Sequence, residues 1–299
     1  MSILDEIFAH KRAEVARQKQ ARPLAEVRAA AEQAAPPLDF VAALQNGHAR
    51  PALIAEVKRA SPSRGLLARN FDPVRLARVY QANGAAAISV LTDARYFMGD
   101  IEHLRQISMN LSGRAETETG GLSPLSQGPL SKDGQDAVQT GSHRAPRLPL
   151  LRKDFLFDPY QLYEARAAGA DAALLIVAGL EPARLRDLHA LAVELGMAAL
   201  VEVHTAEELD VALTCQPALI GVNNRDLRDF TVSLETSFRL RALIPREVCM
   251  VAESGIHTLE DVDCLAAAGV DAILVGEALV TAPDVGAQVR SLSHYGNDV

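Results

Sequence analysis

The sequence predicts a (β/α)8 TIM barrel, and three observations lead to that prediction. Short apolar runs, typical of buried parallel strands, recur eight times along the 299 residues. Amphipathic segments with helical periodicity fill the intervals between the runs. Several of these segments end near Gly, the residue that favours a left-handed helix cap. Eight alternations of strand and helix are typical of a closed barrel. An open doubly wound sheet usually has fewer strands and a glycine-rich first turn, which this sequence lacks.

The repeat is clearest in four segments: NGAAAISVL at 83–91, AGADAALLIV at 168–177, LGMAALVEV at 195–203 and AGVDAILVG at 268–276. The predicted strands are 52–57, 86–91, 148–153, 172–177, 198–203, 219–224, 249–254 and 272–277. The predicted barrel helices are 73–83, 100–109, 159–168, 182–195, 205–213, 235–243, 258–267 and 284–293. Together they predict a catalytic barrel domain over residues 49–293, followed by a short tail at 294–299.

Residues 1–48 precede the repeat and are predicted to form an N-terminal helical extension. The Pro36-Pro37 pair would separate two helices in this segment. Its apolar positions predict that the first helix packs on the barrel; they are Ile3, Leu4, Ile7 and Phe8.

A second segment, residues 112–147, also falls outside the repeat. It is rich in Ser, Gly, Thr and Gln and has no aromatic residue. Such a composition cannot bury enough apolar surface to offset the entropy of ordering the chain. We therefore expect a disordered and dispensable insertion between the second helix and the third strand, on the barrel face remote from catalysis.

Composition narrows the classes of partner. The net charge of −8 and the pI near 5.5 argue against a nucleic-acid surface. The sequence has no apolar run long enough to cross a membrane, and its amphipathic, charged start is unlike a signal peptide, so we expect a cytoplasmic protein.

The three cysteines lack the spacing of a metal site, so we expect them to be reduced thiols. No metal, ATP or nicotinamide motif is found, so the sequence predicts neither metal nor cofactor. The absence of an additional apolar surface segment favours a monomer.

Polar residues occupy the ends of several predicted strands, where barrel active sites lie. Because side chains alternate along a strand, Glu56 and Lys58 share the face of Ile54 and point into the barrel mouth. Other strand-end polar residues are Lys153, Glu202, Asn223, Asn224, Arg225 and Glu253. Any one of them alone could be a solvated strand end or a satisfied buried pair. Because burying such groups is costly unless they are paired or used, their recurrence on five strands predicts one shared polar site.

The last two strand ends suggest where an anion would bind. Ser254-Gly255 and Gly276-Glu277 would expose backbone N–H groups, at the position where barrels commonly bind phosphate. Ser61 and Ser63, in the SPSRG loop after the first strand, could add hydroxyl donors. The glycines could equally serve tight turns, so this observation alone leaves both interpretations open.

Several motifs resemble those of indole-3-glycerol-phosphate synthases. They are IAEVKRASPSRG at 54–65, ISVLTDARYFMGD at 88–100, LLRKDFLFDPYQLYEARAAGADAALLI at 150–176, LVEVHTAEEL at 200–209 and GVNNRDL at 221–227, together with VAESGI and VGEAL. The resemblance covers nearly the whole chain except the 112–147 insertion. Sister phosphate-binding barrels, such as phosphoribosylanthranilate isomerase, do not share the EVKRASPS and LRKDF pair.

The resemblance implies a role for each matching residue. It implies a catalytic network of Glu56, Lys58, Lys153, Glu202 and Asn223. It implies a phosphate site formed by Ser61, Ser254, Gly255, Gly276 and the backbone N–H of Glu277. The residues implied to line the substrate are Phe97, Phe155, Leu174, Arg225 and Glu253. For the first three of these, ordinary barrel packing is the alternative.

The resemblance also implies a reaction. The family's substrate is 1-(2-carboxyphenylamino)-1-deoxy-D-ribulose 5-phosphate, which undergoes ring closure, loss of carbon dioxide and loss of water in tryptophan biosynthesis. Lys153 would stabilise the charge developing on the ketone oxygen, and Lys58 would assist or act in dehydration. Glu202 would remove a proton during dehydration, and Glu56 would orient the lysines.

Three other functions are compatible with parts of the pattern. A sugar-phosphate isomerase could use the same barrel, and a strand-end lysine would also suit a Schiff-base aldolase. A non-catalytic phosphate-binding barrel is the third alternative, although binding an anion requires no carboxylates beside it. Whether the two lysines remain charged in such a site is left open by the sequence.

Overall fold

The computed structural model describes residues 3–46, 51–111, 147–226 and 231–293. Within them, eight parallel strands, β1 to β8 in chain order, form a closed barrel. Each strand pairs with the next one along the chain, and β8 pairs with β1. The strands are β1 Ala52–Val57, β2 Ala87–Leu91, β3 Leu150–Lys153, β4 Ala172–Ile176, β5 Ala198–Val203, β6 Leu219–Asn223, β7 Cys249–Glu253 and β8 Ala272–Val275. The predicted (β/α)8 barrel is confirmed.

Helices alternate with the strands as predicted. The helices are α1 Ile3–Ala21, α2 Leu24–Gln33, α3 Phe40–Gln45, α4 Pro73–Ala82, α5 Ala94–Phe97, α6 Ile101–Leu111, α7 Pro159–Ala167, α8 Pro182–Glu194, α9 Ala206–Leu213, α10 Glu235–Arg241, α11 Leu259–Ala267, α12 Glu277–Val280 and α13 Val285–Leu292. The short helices α5 and α12 follow β2 and β8 and were not predicted. The loop after β1 also contains a small antiparallel hairpin of Ala60–Ser61 with Gly65–Leu66.

The N-terminal extension contains three described helices, whereas the sequence predicted two. The additional break lies between α1 and α2, where Pro23 is the N-cap of α2. A proline disfavours helical geometry in the residue before it, so α1 stops at Ala21. The predicted break at Pro36-Pro37 separates α2 from α3.

Alternation along the strands divides the core into two layers. Leu53, Ala55 and Val57 of β1 pack outward in the layer between the strands and the helices. Ile54 belongs to the layer inside the barrel. Glu56 and Lys58 follow on the same face as Ile54 and line the cavity at the barrel mouth, as the alternation predicts.

The N-terminal helices contribute apolar side chains to the interior layer. From α1 come Leu4, Ile7 and Phe8, and Ile3 packs against them while partly exposed. From α3 come Phe40 and Leu44, and this helix contacts β1 and β2. The extension is therefore packed on the barrel.

Two repeated aspartates fix the starts of neighbouring strands. Asp171 and Asp271, in the AGAD and AGVD segments, immediately precede β4 and β8. Asp171 Oδ2 accepts a hydrogen bond from the backbone N–H of Leu150 at 2.7 Å. Asp271 Oδ2 accepts one from Met250 at 2.9 Å. The repeat seen in the sequence thus has a structural cause, since both carboxylates bond to the backbone of the preceding strand.

Residues 112–146 lie outside the described residues, so the expected disorder of the insertion stays a prediction. Its last residue, Arg147, is described and donates to Asp171 Oδ1 at 2.6 Å. No described helix combines the length and the apolar composition that crossing a membrane requires.

A buried cation fixes α1 to the barrel mouth. The Lys11 side chain is 1% exposed, and its Nζ lies 2.7 Å from Asp93 Oδ2 and 3.0 Å from Asp154 Oδ1. Arg152 lies on the opposite side of Asp154, at 3.2 Å. Burial acts to raise the pKa of Asp154, but Arg152 and Lys11 lower it below its ordinary value. Lys11 therefore neutralises carboxylates in two different loops, those following β2 and β3.

Replacing Lys11 with Met should lower the free energy of unfolding by about 3–5 kcal/mol, because it leaves buried carboxylates without their cation. Lys19→Met is the matched control on the same helix. The Lys19 side chain is 41% exposed and pairs with Asp158 at 2.7 Å, so its loss should cost about 0–1 kcal/mol. Urea titration of both variants measures the difference, and equal midpoints would contradict the structural role of Lys11.

Candidate active site

A cavity of about 400 Å³ opens at the C-terminal ends of the strands. Every residue to which the resemblance assigns a role lines it: Glu56, Lys58, Ser61, Phe97, Lys153, Phe155, Leu174, Glu202, Asn223, Arg225, Glu253, Ser254, Gly255, Gly276 and Glu277. Asn224, a further strand-end polar residue, lines a neighbouring cavity instead. The two lysines therefore face the same space. Among the described residues, no group of three or more His, Cys, Asp or Glu side chains is arranged to hold a metal ion.

Lys153, the last residue of β3, lies between two carboxylates. Its Nζ is 3.1 Å from Glu202 Oε2 and 3.1 Å from Glu253 Oε2. The side chains of both glutamates are 2% exposed, so these contacts are screened little by solvent. Inner positions on three alternate strands, β3, β5 and β7, thus bring one ammonium group and two carboxylates together.

The carboxylates decide the charge of Lys153. Burial acts to lower the pKa of this lysine, but Glu202, Glu253 and Glu56 outweigh burial and raise it above its ordinary value. Lys153 is therefore an ammonium donor at neutral pH, which answers for this lysine the question that the sequence left open.

The pKa values of the two carboxyl groups beside Lys153 are shifted in opposite directions. Burial acts to raise the pKa of Glu202, but Lys153 and His204 lower it below its ordinary value. Burial, together with repulsion from Glu202 and Glu56, raises the pKa of Glu253 to about 7 although Lys153 opposes it. A pair of carboxyl groups with separated pKa values is typical of an acid–base site.

Lys58 and Glu56 form a second pair in the same cavity. Lys58 Nζ lies 2.5 Å from Glu56 Oε1, and the Glu56 side chain is 4% exposed. The backbone carbonyl of Glu56 accepts a hydrogen bond from the buried Tyr80 hydroxyl at 3.1 Å, which fixes this end of β1. Glu56 is also close enough to raise the pKa of Lys153, so it acts on both lysines.

Two glycines make room for the glutamates. A Cβ on Gly276 would collide with Glu56 Oε1, and a Cβ on Gly221 would collide with Glu253 Oε1. Both glycines occupy inner positions of their strand or strand end, where a larger side chain would fill the mouth. Gly276 was predicted to expose its backbone N–H, and its close approach to Glu56 is a second reason for glycine at that position.

The predicted phosphate residues follow β7, β8 and β1, which are consecutive strands in the closed barrel. Ser254 and Gly255 both adopt positive φ, +66° and +79°, which is unusual for the serine. Asn224 supports this turn by donating to the Ser254 carbonyl at 3.1 Å. In the loop after β1, Ser61 Oγ is buried, and no hydrogen-bond partner for it is found among the described residues. A buried hydroxyl without a partner is available to a ligand oxygen.

An apolar wall faces the polar groups. The rings of Phe97 and Phe155 have centroids 6.2 Å apart, and Phe155 also packs edge to face on Phe8, at 5.8 Å. Leu174 of β4 lines the same wall. Phe97 and Phe155 follow Asp93 and Asp154 along the chain, and both aspartates form ion pairs with Lys11. Helix α1 therefore supports this wall through the packing of Phe8 and the charge of Lys11.

Asn223 and Arg225 lie at the end of β6. Asn223 Oδ1 accepts a hydrogen bond from the Arg225 backbone N–H at 3.0 Å. A hydrogen bond from the Asn223 side chain also contributes to the low pKa of Glu202. Asn223 therefore orients a carboxylate of the site, in keeping with its predicted place in the network.

Sequence reasoning missed several residues that support the site: Lys11, Asp93, Asp154 and His204. His204 directly follows the end of β5, so the rule that found its neighbour Glu202 could have found it as well. Lys11 lies within the helical pattern of α1 and gives no such signal, because its partners are more than eighty positions away.

Comparison with solved structures shows the same fold in distant proteins. The 3-hexulose-6-phosphate synthase from Salmonella typhimurium superposes with a TM-score of 0.56 at 11% identity, covering 81% of this chain and 97% of its own. A thiamine phosphate pyrophosphorylase from Pyrococcus furiosus gives 0.54 at 16% identity, covering 85% and 96%. At such low identity these likenesses establish the fold alone.

Comparison with curated sequences identifies the family. The model of the family described as indole-3-glycerol phosphate synthase matches residues 4–118 and 132–292. The indole-3-glycerol phosphate synthase of Roseiflexus sp. (strain RS-1) is 52% identical over 97% of this chain and 98% of its own length. That of Dehalococcoides mccartyi (strain CBDB1) is 44% identical over 97% and 99%, and that of Aromatoleum aromaticum is 45% identical over 97% and 98%. The chain therefore belongs to the indole-3-glycerol phosphate synthase family.

Proposed function

We propose that this chain converts 1-(2-carboxyphenylamino)-1-deoxy-D-ribulose 5-phosphate into indole-3-glycerol phosphate, carbon dioxide and water, as a carboxy-lyase of tryptophan biosynthesis. The observation that supports it best is the placement of Lys153 between Glu202 and Glu253, in one cavity with the Lys58–Glu56 pair. Charged acids and a carboxylate base side by side are what ring closure followed by dehydration requires.

Ring closure needs an acid at the substrate's ketone oxygen. Lys153 is charged and buried, so its ammonium group can stabilise the developing alkoxide and protonate it. Glu202 and Glu253 hold Nζ from two sides, which fixes the donor before the substrate binds. Such preorganisation lowers the barrier because the protein does not have to rearrange during the reaction.

Dehydration needs a base for the ring proton and an acid for the departing hydroxyl. Glu202 suits the base role because its pKa is held low, so it is ionised at neutral pH. Lys58 is an acid in the same cavity, oriented by Glu56 at 2.5 Å. We assign proton removal to Glu202 and assistance in dehydration to Lys58.

The two ends of the cavity suit the two ends of the substrate. The phosphate would bind beside Ser61, Ser254, Gly255, Gly276 and the Glu277 backbone. The carboxyphenyl ring would lie on the wall of Phe97, Phe155 and Leu174, and Arg225 at the rim would meet the substrate's negative charge. Holding both ends brings the reacting carbons together and removes much of the entropic barrier.

The charge of Lys153 argues against the aldolase alternative. A Schiff base forms from a neutral amine, whereas the carboxylates around Lys153 keep it protonated. We expect no covalent adduct when borohydride is added to enzyme and substrate, and mass spectrometry of the treated protein measures this.

The direct test is a fluorescence assay of indole formation with the carboxyphenylamino substrate. The chain contains no Trp, so the protein contributes little background. We expect turnover that is accompanied by one carbon dioxide for each indole formed. A protein that binds the substrate without releasing carbon dioxide would contradict the proposed activity and favour a non-catalytic phosphate-binding barrel.

Ser61→Ala tests the phosphate site. Removing a hydrogen bond to a charged oxygen costs about 1.5–3 kcal/mol, so KM should rise roughly 10- to 100-fold with a smaller change in kcat. The control is Thr214→Ala, which removes an exposed hydroxyl at the C-cap of α9, away from the residues that line the cavity. Steady-state kinetics separates the two parameters; an unchanged KM in Ser61→Ala would remove this residue from the phosphate site.

A cytoplasmic location and a monomeric state stay predictions from the sequence. Gel filtration combined with light scattering measures the oligomeric state of the purified chain.

A further inference from the structure

A histidine lies directly behind the proposed base. His204 immediately follows β5, and its Nε2 is 3.5 Å from Glu202 Oε1. On the other side of the ring, Nδ1 lies 3.1 Å from Glu208 Oε2. Because Glu202 Oε2 contacts Lys153 at 3.1 Å, the groups form a continuous row: Glu208, His204, Glu202 and Lys153.

Glu208 is held in place by the start of α9. Its backbone N–H donates to the Thr205 hydroxyl at 3.2 Å, the cap of this helix. Its carboxylate accepts the backbone N–H of His204 at 2.7 Å and also faces the ring. A carboxylate on Nδ1 keeps a proton on that nitrogen and leaves Nε2 to exchange protons with Glu202.

The Nε2 atom of His204 is buried and lacks a hydrogen-bond partner among the described residues. Its distance from Glu202 is at the long end for a hydrogen bond, and catalytic contacts commonly shorten when substrate binds. Burial acts to lower the pKa of His204, but Glu208, Glu202 and Glu253 raise it above its ordinary value. The ring is therefore able to hold a second proton.

The row leads from the substrate cavity towards solvent. The side chain of Glu202 is 2% exposed, that of His204 is 11% and that of Glu208 is 22%. A second cavity of about 420 Å³ adjoins the substrate cavity at Asn223 and is lined by His204 and Glu208, and by the charged residues Asp226 and Arg239. Protons can therefore reach His204 without passing through the substrate cavity.

The proposed reaction consumes one proton per turnover. An acid protonates the ketone oxygen as the new carbon–carbon bond forms. The carboxylate leaves as neutral carbon dioxide, and the electron pair of the broken bond neutralises the cationic ring. A second acid proton leaves with the hydroxyl as water, and a base takes one proton from carbon to complete the indole. Two protons are thus donated and one is recovered, so one must enter from solvent in each turnover.

We propose that His204 supplies this proton as a relay, in an orientation fixed by Glu208. The proton passes through Glu202 to Lys153 and restores the ammonium form of that lysine. The inference rests on the proposed function. The imidazolium gives its Nε2 proton to Glu202 Oε1, and Glu202 gives a proton from Oε2 to Nζ of Lys153. The imidazole is then neutral, and the proton on Nδ1 remains hydrogen-bonded to Glu208. Solvent in the second cavity restores its Nε2 proton before the next turnover. The proton that Glu202 later takes from the substrate ring returns to Lys58, the second acid, so both lysines begin the next turnover as ammonium groups.

The decisive experiment is chemical rescue of His204→Ala by added imidazole. We expect kcat to fall roughly 10²-fold, the lower end of acid–base contributions, with KM within about twofold. Imidazole should restore kcat, and the restored rate should follow the concentration of imidazolium as pH is varied. Lys153→Ala in the same imidazole series should not be restored, since imidazole replaces the relay and not the primary acid.

Two further variants separate a relay from a structural role. Glu208→Gln keeps the size of the side chain but loses the charge on Nδ1, so it should lower kcat less than His204→Ala and respond weakly to imidazole. His189→Gln changes a half-buried histidine on α8 and should leave kcat unchanged. If wild type is active but His204→Ala and His204→Gln retain full kcat, or fold normally and show no rescue, the relay is overturned while the proposed function stands. An inactive wild type would instead refute the proposed function.

Discussion

Lys153→Ala is expected to lower kcat about 10²–10³-fold, the cost of removing one donor that stabilises a developing oxyanion. Its Nζ is the only described contact that Glu202 Oε2 and Glu253 Oε2 share. Without it, two buried carboxyl groups face each other, and their pKa values should rise. Fluorescence of the indole product measures kcat, and carbon dioxide release should slow to the same extent, because ring closure precedes both products.

Lys153→Arg tests geometry apart from charge. It keeps a cation between the two carboxylates, but the planar guanidinium is a poor proton donor and does not place a single N–H where the ammonium lies. We expect a fold as stable as the wild type and a kcat still reduced by at least about tenfold. Lys19→Ala, on the exposed face of α1, is the control and should not change kcat. Near-normal turnover in Lys153→Ala would contradict the assignment of this lysine as the acid.

The sequence predicted the barrel because strand, helix and glycine cap repeat at a regular interval, and the repeat does not depend on any distant contact. The sequence located the site for a related reason. All strands of the barrel have their C-terminal ends at the same mouth, so a polar residue at such an end is known to lie near the site without knowledge of its contacts. Glu56, Lys153 and Glu202 were found in this way. Their pairing was not, because strand-end position does not say which inward side chains meet.

Other features depend on contacts that no local pattern encodes. Lys11 looks like one of several charged residues on an amphipathic helix, yet it is 1% exposed because Asp93 and Asp154 from two loops surround it. The sequence predicted a helix break only at the Pro36-Pro37 pair, so the break at Pro23 was not predicted. The short helices α5 and α12 have four residues each, too few for periodicity to be recognised.

Glu202→Gln is expected to lower the rate of indole formation about 10²–10⁴-fold, the range for loss of a general acid or base. The amide keeps the size of the side chain but can neither accept the ring proton nor pass one to Lys153. Lys153 retains Glu253 at 3.1 Å and therefore remains a charged acid for ring closure. The substitution should thus slow dehydration more than the steps before it.

This difference gives the variant a signature that Lys153→Ala lacks. In a single turnover of Glu202→Gln, carbon dioxide should appear much faster than indole fluorescence, because decarboxylation precedes the blocked step. In Lys153→Ala both signals should be slow and appear together. If carbon dioxide and indole appear together in Glu202→Gln as well, Glu202 acts at ring closure, where its contact with Lys153 would be its main role. The His204 relay would then still end at Lys153, because it passes through the same carboxylate whichever step that carboxylate serves.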